Sequence, residues 1–340
     1  MKILYGIQTT GNGHLTRAKE VISILKKRAE VDVVLSGPDD NKISLDHPVK
    51  KHYQGLTFFY TKKGKIHWIK TLFKNNFFKL LIDIFHCPVA SYDLIINDFE
   101  PVTAWSCYLK NKKCVALSNQ YALFSEKGPK LKKRFHTTLK MLRYFAPVSH
   151  GYGLHFKRFD DTIFLPIIRK KIRKLNVNDL GYFLVYLPSY GKEAIQNVLV
   201  TFPKTNWVVF SPEVKTSQLE NNIQWEPINE NTFLKSIASC KGVVTAAGFS
   251  TLSEALYLKK PLLTIPISSQ IEQAYNAAMI SEMGGKVLKR FTVKQRKQIQ
   301  KWIENPKVIP AELEQRNYEV VDRILLDYIK SLLNLEQVRA

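Results

Sequence analysis

Short apolar runs alternate with stretches of helical spacing along almost the whole chain, and few folds accommodate that rhythm. A run apolar at every position is buried on both faces, which points to a parallel sheet whose strands are joined by crossover helices. In the first half, Lys2–Gln8, Val31–Ser36, Leu94–Asn97 and Cys114–Ser118 are expected strands. A helix is expected after the first strand, through about Arg28, and another over Thr103–Lys110. Ile66, Ile69, Phe73, Phe77, Leu80, Leu81 and Ile84 fall at helical spacing and predict one amphipathic helix over Ile66–Phe85. The rhythm breaks at Leu165–Lys174, where composition changes from apolar to basic, as an interdomain linker would. It restarts with strands Phe183–Leu187, Trp207–Phe210, Gly242–Thr245 and Leu262–Ile265, and with helices Lys192–Val200, Asn231–Ser239, Thr251–Tyr257 and Glu272–Met283. The expectation is an α/β protein of two Rossmann-like domains, with parallel sheets facing a central cleft. The first domain takes residues 1–166 and the second 167–311. In 312–340 a helix with apolar Val321, Ile324, Leu325, Tyr328 and Leu332 is expected to pack back on the first domain. A chain of 340 residues suits two cores better than one.

Charge narrows the partners. Lys and Arg number 51 against 29 Asp and Glu, a formal net charge of +22. Residues 1–166 carry 27 basic and 13 acidic side chains, so this half leads. Such a field attracts polyanions: nucleic acid, an anionic membrane surface or phosphorylated substrates. No recognised nucleic-acid module is present, so nucleic acid is not the expected partner. Cys87, Cys107, Cys114 and Cys240 form no CxxC pair and no metal-ligand spacing with His, as for reduced, buried thiols in a cytoplasmic protein. The apolar N-terminus is too short for a signal peptide, and no run reaches a membrane span. Lys62-Lys63-Gly64-Lys65, the Ile66–Phe85 helix and Lys127–Arg143 interleave cations with aromatics. That mixture suits peripheral docking on an anionic membrane at its inner face, or a solvated face over core aromatics.

The most informative segment is Gly242–Pro266, GVVTAAGFSTLSEALYLKKPLLTIP. It reads as a buried strand, a tight turn, a helix start and a second strand. Gly248 lets the backbone approach a ligand, Ser250 and Thr251 can cap the helix, and the free N–H groups there suit a pyrophosphate. Glu254 lies one turn further in, where a carboxylate can accept both hydroxyls of a ribose. After the next strand, Glu272 and Gln273 begin a helix at the sheet edge where open α/β folds bind ligands, and together can grip a sugar diol.

The pattern AGFSTLSEAL…KKPLLTIP…EQAYNA…MGG, some forty residues with spacing intact, resembles the C-terminal domain of family 28 glycosyltransferases. That resemblance implies the GT-B architecture and a nucleotide-sugar donor, which is a substrate, so no cofactor is expected. Residues Ala247, Gly248, Phe249, Ser250 and Thr251 would hold the diphosphate, Glu254 the ribose, and Glu272 with Gln273 the sugar hydroxyls. Asn276 would join the donor site or only brace its helix. By family habit the donor is uridine-linked and transfer inverts; members of this fold work without a metal, and no Asp-x-Asp motif is present.

In the front half Gly11-Asn12-Gly13-His14-Leu15-Thr16-Arg17 follows the first strand and resembles the GxGH turn of GT-B transferases, in the GxGHxxR form of some family 28 relatives. Gly13 would then sit beside the donor and His14 at the cleft. An imidazole there can take the proton of an acceptor hydroxyl, bind a phosphate, or hydrogen-bond a carbonyl. Asp98 and Glu100, after their strand, could orient His14 or act as base, or only favour the helix start near Thr103. Asn119 and Gln120 end the next strand and resemble an acceptor-side loop. Two departures stand out: the longer glycine-rich N-terminal motif of the peptidoglycan enzyme in family 28 is absent, and Ala246 and Ala247 replace its basic-plus-Ser donor turn. That enzyme's acceptor therefore does not carry over; a lipid-linked or cell-envelope glycan remains the expected class. The expected activity is hexosyl or N-acetylhexosaminyl transfer. The rivals are a non-hydrolysing nucleotide-sugar epimerase and a non-enzymatic basic binding protein on the same scaffold.

Overall fold

The computed structural model describes residues 1–38, 45–57, 59, 71, 73–267, 269–313 and 318–337. Among them the chain forms two seven-stranded sheets. The first has β1 (Lys2–Gln8), β2 (Glu30–Ser36), β3 (Val49–Tyr53), β4 (Leu94–Asp98), β5 (Cys114–Ser118), β6 (His150–Leu154) and β7 (Ile163–Phe164). Their order is β3-β2-β1-β4-β5-β6-β7, parallel throughout. The second has β8 (Tyr182–Tyr186), β9 (Asn206–Phe210), β10 (Gln218–Glu220), β11 (Ile223–Glu226), β12 (Gly242–Thr245), β13 (Leu262–Thr264) and β14 (Lys286–Val287). Its order is β10-β11-β9-β8-β12-β13-β14, with only β10 and β11 antiparallel. The central strands are the runs anticipated from apolarity, and β5 and β12 are buried at every position.

Crossover helices cover the sheets: α1 (Asn12–Leu25), α2 (Phe77–His86), α3 (Pro101–Leu109), α4 (His136–Phe145), α5 (Lys170–Arg173), α6 (Lys192–Leu199), α7 (Glu230–Ser239), α8 (Phe249–Tyr257), α9 (Ile271–Glu282), α10 (Arg296–Glu304) and α11 (Glu319–Gln337). The front of the helix expected over Ile66–Phe85, with the Lys62–Lys65 run, lies outside the described residues. Thr71, Phe73 and Lys74 are helical, but the single helix expected is broken at Asn75, whose side-chain amide donates to the Thr57 and Thr71 carbonyls, and α2 begins at Phe77, where Asn76 caps by accepting from the Lys79 amide at 2.9 Å. Strand β6 was not anticipated because its sequence, HGYGL, is half glycine and polar. The sheet requires that: a side chain at Gly151 would collide with Ala116, and one at Gly153 would lie 2.8 Å from the Ala122 backbone.

The basic segment expected as a linker is not a solvated strap. Ile167, Ile168 and Ile172 are buried in a core that runs without interruption from Ile3 and Leu15 in the first domain to Phe249 and Leu252 in the second. Lys170, Lys171 and Lys174 are exposed, and the three isoleucines decide the segment's place. Helix α11 joins the same core through Val320, Val321, Ile324 and Leu325, and lies against α1. It is tied to the first domain by the Arg28–Asp322 and Arg158–Glu319 ion pairs and by the hydroxyl of Tyr152 donating to Asp327.

The domains also meet through a cluster of rings. Phe156 stacks on Phe249 at 5.3 Å, His155 stands edge-on to Tyr275 at 5.1 Å, and the Tyr275 hydroxyl donates to the Ala122 carbonyl at 2.9 Å. Burial pushes the His155 imidazole down to about 3, with Asn276 weakly opposing. The unfolded chain therefore binds this proton between pH ~6.5 and ~3 while the native state refuses it, so stability falls as pH drops through that window. His155→Phe should flatten the dependence of urea midpoint on pH between 6.5 and 4; an unchanged slope would mean that other groups carry it.

Candidate functional site

Parallel pairing of β1 with β4 brings their carboxyl ends side by side, and the site is built on that edge. Asp98, the last residue of β4, is fully buried. The chain leaves β1 through Gly11, whose φ of 85° opens the turn into α1, and α1 then presents His14 and Arg17 on one face, three residues apart. Both reach Asp98. His14 Nδ1 lies 2.8 Å from Oδ1; Arg17 donates through Nη2 at 2.6 and 2.8 Å and through Nε at 3.1 Å. Arg17 Nη1 also donates to Asn119 Oδ1 at 3.0 Å, joining the end of β5 to the cluster. Burial pushes the Asp98 carboxyl up, but the charges and hydrogen bonds of Arg17 and His14 outweigh it and hold it below the usual carboxylate range. With Asp98 ionised, Nδ1 of His14 is the donor in their bond and Nε2 keeps its lone pair when the ring is neutral. Gln120 Nε2 stands 3.4 Å from that Nε2 and donates to Glu272 Oε2 of the second domain at 3.0 Å.

His14, Gly13, Asn119, Gln120, Gly248, Phe249, Ser250, Thr251 and Glu272 line one cavity of about 960 Å³ between the sheets. Neither α1 nor α8 carries a side-chain cap: Ser250 and Thr251, expected to cap α8, lie inside its first turn, and Gly248 holds the N-cap position. The first turns of both helices thus offer N–H groups without intrahelical partners, a setting for anions. The two ends are close: a Cβ on Gly13 would sit 3.0 Å from Ser250 Oγ.

Other residues expected here are turned to different work. Glu100 is fully buried and caps α3, accepting from the Val102 and Thr103 amides at 2.5 and 2.7 Å and from the Thr103 hydroxyl at 2.6 Å. It is a helix cap, not part of the cavity wall, because the nearest donors are the free amides of its own helix. Gln273 accepts from the Ile267 amide at 2.9 Å and donates to Gln270 Oε1 at 2.8 Å. Asn276 is buried and braces the turn before α8, donating to the Ala247 carbonyl at 2.9 Å. Ala247 is itself fully buried. Glu254 lies beside the cavity, paired with Arg169 of the interdomain segment through Nε at 2.6 Å and Nη2 at 2.9 Å. Burial raises its carboxyl and Arg169 opposes the rise. Trp225 is fully buried in the second domain's own core.

Three residues were given no role by the sequence reading, although Arg17 closes the GxGHxxR turn. Arg17 had a signal, its position one helical turn from His14. Arg169 stood in a basic run with nothing to single it out. Phe99 showed none: it sits at a φ of 56°, follows Asp98 and lines the cavity. Among the described residues no group of three or more His, Cys, Asp and Glu is placed to hold a metal ion.

A family model described as glycosyl transferase family 1 matches residues 1–305. No curated protein matches the sequence. The glycotransferase of kitacinnamycin superposes with a TM-score of 0.61 at 15% identity, covering 96% of this chain and 95% of that one. Phytolacca americana UGT2, solved with UDP-2-fluoroglucose and pterostilbene, gives 0.56 at 12% identity over 95% and 98%. MurG of Acinetobacter baumannii gives 0.54 at 11% identity over 90% and 91%. These similarities establish the GT-B fold.

Asp98→Asn should cost about 3–5 kcal/mol, since it leaves the Arg17 guanidinium buried without its counter-charge. Arg17→Met on that background should recover part of the loss in urea unfolding. Because the native Asp98 carboxyl is depressed, the wild-type contribution is complete above about pH 4 and fades as pH falls through the native value.

Proposed function

Because the chain belongs to glycosyl transferase family 1, we propose that it transfers a hexosyl or N-acetylhexosaminyl group from a uridine diphosphate sugar to an acceptor hydroxyl, inverting the anomeric centre and using no metal. One observation carries the reading: His14, held by Asp98, faces the uncapped N-terminus of α8 across a single cavity. His14 Nε2 takes the acceptor proton as the hydroxyl oxygen attacks the anomeric carbon. The bond from that carbon to the diphosphate breaks in the same displacement, and the departing charge meets the amides at Gly248–Thr251. Asp98 keeps the ring oriented and favours the imidazolium that forms. Glu272 is placed for the sugar hydroxyls. Glu254 accepts the ribose once Arg169 releases it, which leaves that guanidinium beside the diphosphate. Residues 1–166 with 312–340 serve the acceptor and 167–311 the donor. The complex of Phytolacca americana UGT2 with a UDP sugar supports the choice of uridine.

Thermal-shift titration with UDP, GDP, dTDP, CMP and their sugars tests the donor. One nucleotide should stabilise the fold, by about 2.7 kcal/mol at a hundred times its dissociation constant, and Glu254→Ala should lose the effect. His14→Ala should lower kcat by roughly 10²–10⁴ while keeping the nucleotide shift. No shift from any nucleotide would sink the proposal; an altered nucleotide sugar released without acceptor would make the protein an epimerase.

The same reading places the enzyme against the inner, anionic face of a membrane. No helix among the described residues is long and apolar enough to cross one. Helix α2 instead leaves apolar side chains in solvent. Phe78 is 75% and Phe85 62% exposed, Phe73 just before it 81%, and Lys74 and Lys79 are exposed among them. That combination fits acidic lipid headgroups with acyl chains beneath. The wild type should sediment with phosphatidylglycerol vesicles and far less with phosphatidylcholine, and Phe78→Glu with Phe85→Glu should stay in the supernatant.

A further inference from the structure

The positive charge of the second domain is concentrated in one stretch. Residues 286–307 hold eight lysines and arginines against one carboxylate, Glu304, whereas the rest of 167–311 holds twelve against nine. All eight cations are exposed. Elsewhere basic side chains find acids: Arg28, Arg158, Arg173 and Lys192 each enter an ion pair. Among the described residues none of these eight does, and Arg296 donates instead to the Thr201 carbonyl at 3.3 and 3.4 Å. Helix α10 turns the charge outward. Its Ile299, Trp302 and Ile303 enter the second domain's own core, which leaves Lys297 and Lys301, one turn apart, on the opposite face, with Lys294 in the turn before the helix. Like charges held this close repel one another, and a surface of opposite sign relieves them.

The place of α10 in the fold says which surface that is. The core that runs through both domains is covered by α1 and α11 in the first and by α7, α8 and α9 in the second. The other faces of the sheets have separate cores, under α2 and α3 in the first domain and under α6 and α10 in the second. Helices α2 and α10 thus both lie on the side turned away from the shared core. The aromatic side chains of the basic stretch, Phe291 and Trp302, are buried, so it offers no ring on which a nucleic-acid base could stack. Six of its eight cations are lysines, mobile point charges suited to a diffuse sheet of negative charge rather than to a forked grip on one phosphate.

We infer that the exposed face of α10, with the lysines before it, is a second membrane contact that binds acidic lipid headgroups. It rests on the membrane reading of α2 and extends it to the other domain. The two contacts differ in kind. Helix α2 offers Phe78 and Phe85 to the acyl region, while the apolar exposure of the basic stretch is limited to Val293 and Val308, so its binding is electrostatic. One contact on each domain fixes the orientation of the cleft over the bilayer, and the second forms at the high effective concentration that the first creates.

The test uses the full chain and phosphatidylglycerol vesicles at low ionic strength. Lys294→Gln, Lys297→Gln and Lys301→Gln combined should lower the vesicle partition coefficient about a hundredfold and flatten its dependence on salt, with the melting temperature unchanged. Removing the same charge from the shared-core side, by Lys26→Gln, Lys27→Gln and Lys330→Gln, should cost far less. The native cysteines are buried, so an environment-sensitive maleimide dye on Lys297→Cys reports α10 alone; its emission should shift to the blue on phosphatidylglycerol vesicles and stay put on phosphatidylcholine. Equal losses in the two triple variants, or a dye that does not respond while the protein sediments, would overturn the inference and leave α2 as the docking site. Binding of a duplex oligonucleotide that the first triple variant loses, with its vesicle partition intact, would assign the surface to nucleic acid instead. A wild type that ignores phosphatidylglycerol altogether would remove the membrane reading itself.

Discussion

A carboxylate with no access to water is costly unless opposite charge and hydrogen-bond donors surround it, and Asp98 sets that requirement at the centre of the molecule. Its place follows from the parallel pairing of β1 with β4. Its partners come from α1, so the turn between β1 and α1 must deliver both His14 and Arg17 to one point. Gly11 meets the backbone demand, and Gly13 allows α1 to approach Ser250 of the other domain. One buried charge thus decides how α1 enters, which way His14 points, and how closely two helix N-termini meet over the cavity.

The cleft sits between domains that are not independent bodies on a loose tether. Their cores are continuous through Ile167, Ile168 and Ile172, and α11 returns to seal the first domain with the same apolar cluster. Rings at the junction, Phe156 on Phe249 and His155 against Tyr275, hold the second domain in register. The polar contacts that cross the cleft are of a different kind. Gln120 donates to Glu272 across the cleft, while Arg169 of the interdomain segment pairs with Glu254 beside it.

Legibility from sequence tracked burial on two faces. Central strands such as β5 and β12 announced themselves because every position is buried and most are apolar. Edge and irregular strands did not: β3 reads VKKHY, with lysines in solvent, and β6 carries the glycines that its neighbours require. The glycine turn at Gly248 and the helix after it were legible because both are local, although the caps expected from Ser250 and Thr251 do not form. Residue type alone misled at Glu100 and Gln273, whose polar groups were taken by the nearest free amides of their own segments. A short-range hydrogen bond leaves the same residue in the sequence as a ligand contact would.

Composition and pattern by themselves determined an α/β chain of two parallel sheets, the glycine turn before α8, and a histidine beside a glycine turn, because each depends on neighbours within a few residues. Tertiary structure alone decided that Arg17 and His14 share Asp98, that Arg169 guards Glu254, and that Phe99 faces the cavity with Phe145. Those outcomes depend on charges and rings brought together from elements 46 to 85 positions apart. Desolvation, which makes such meetings decisive, exists only once the chain has closed around them.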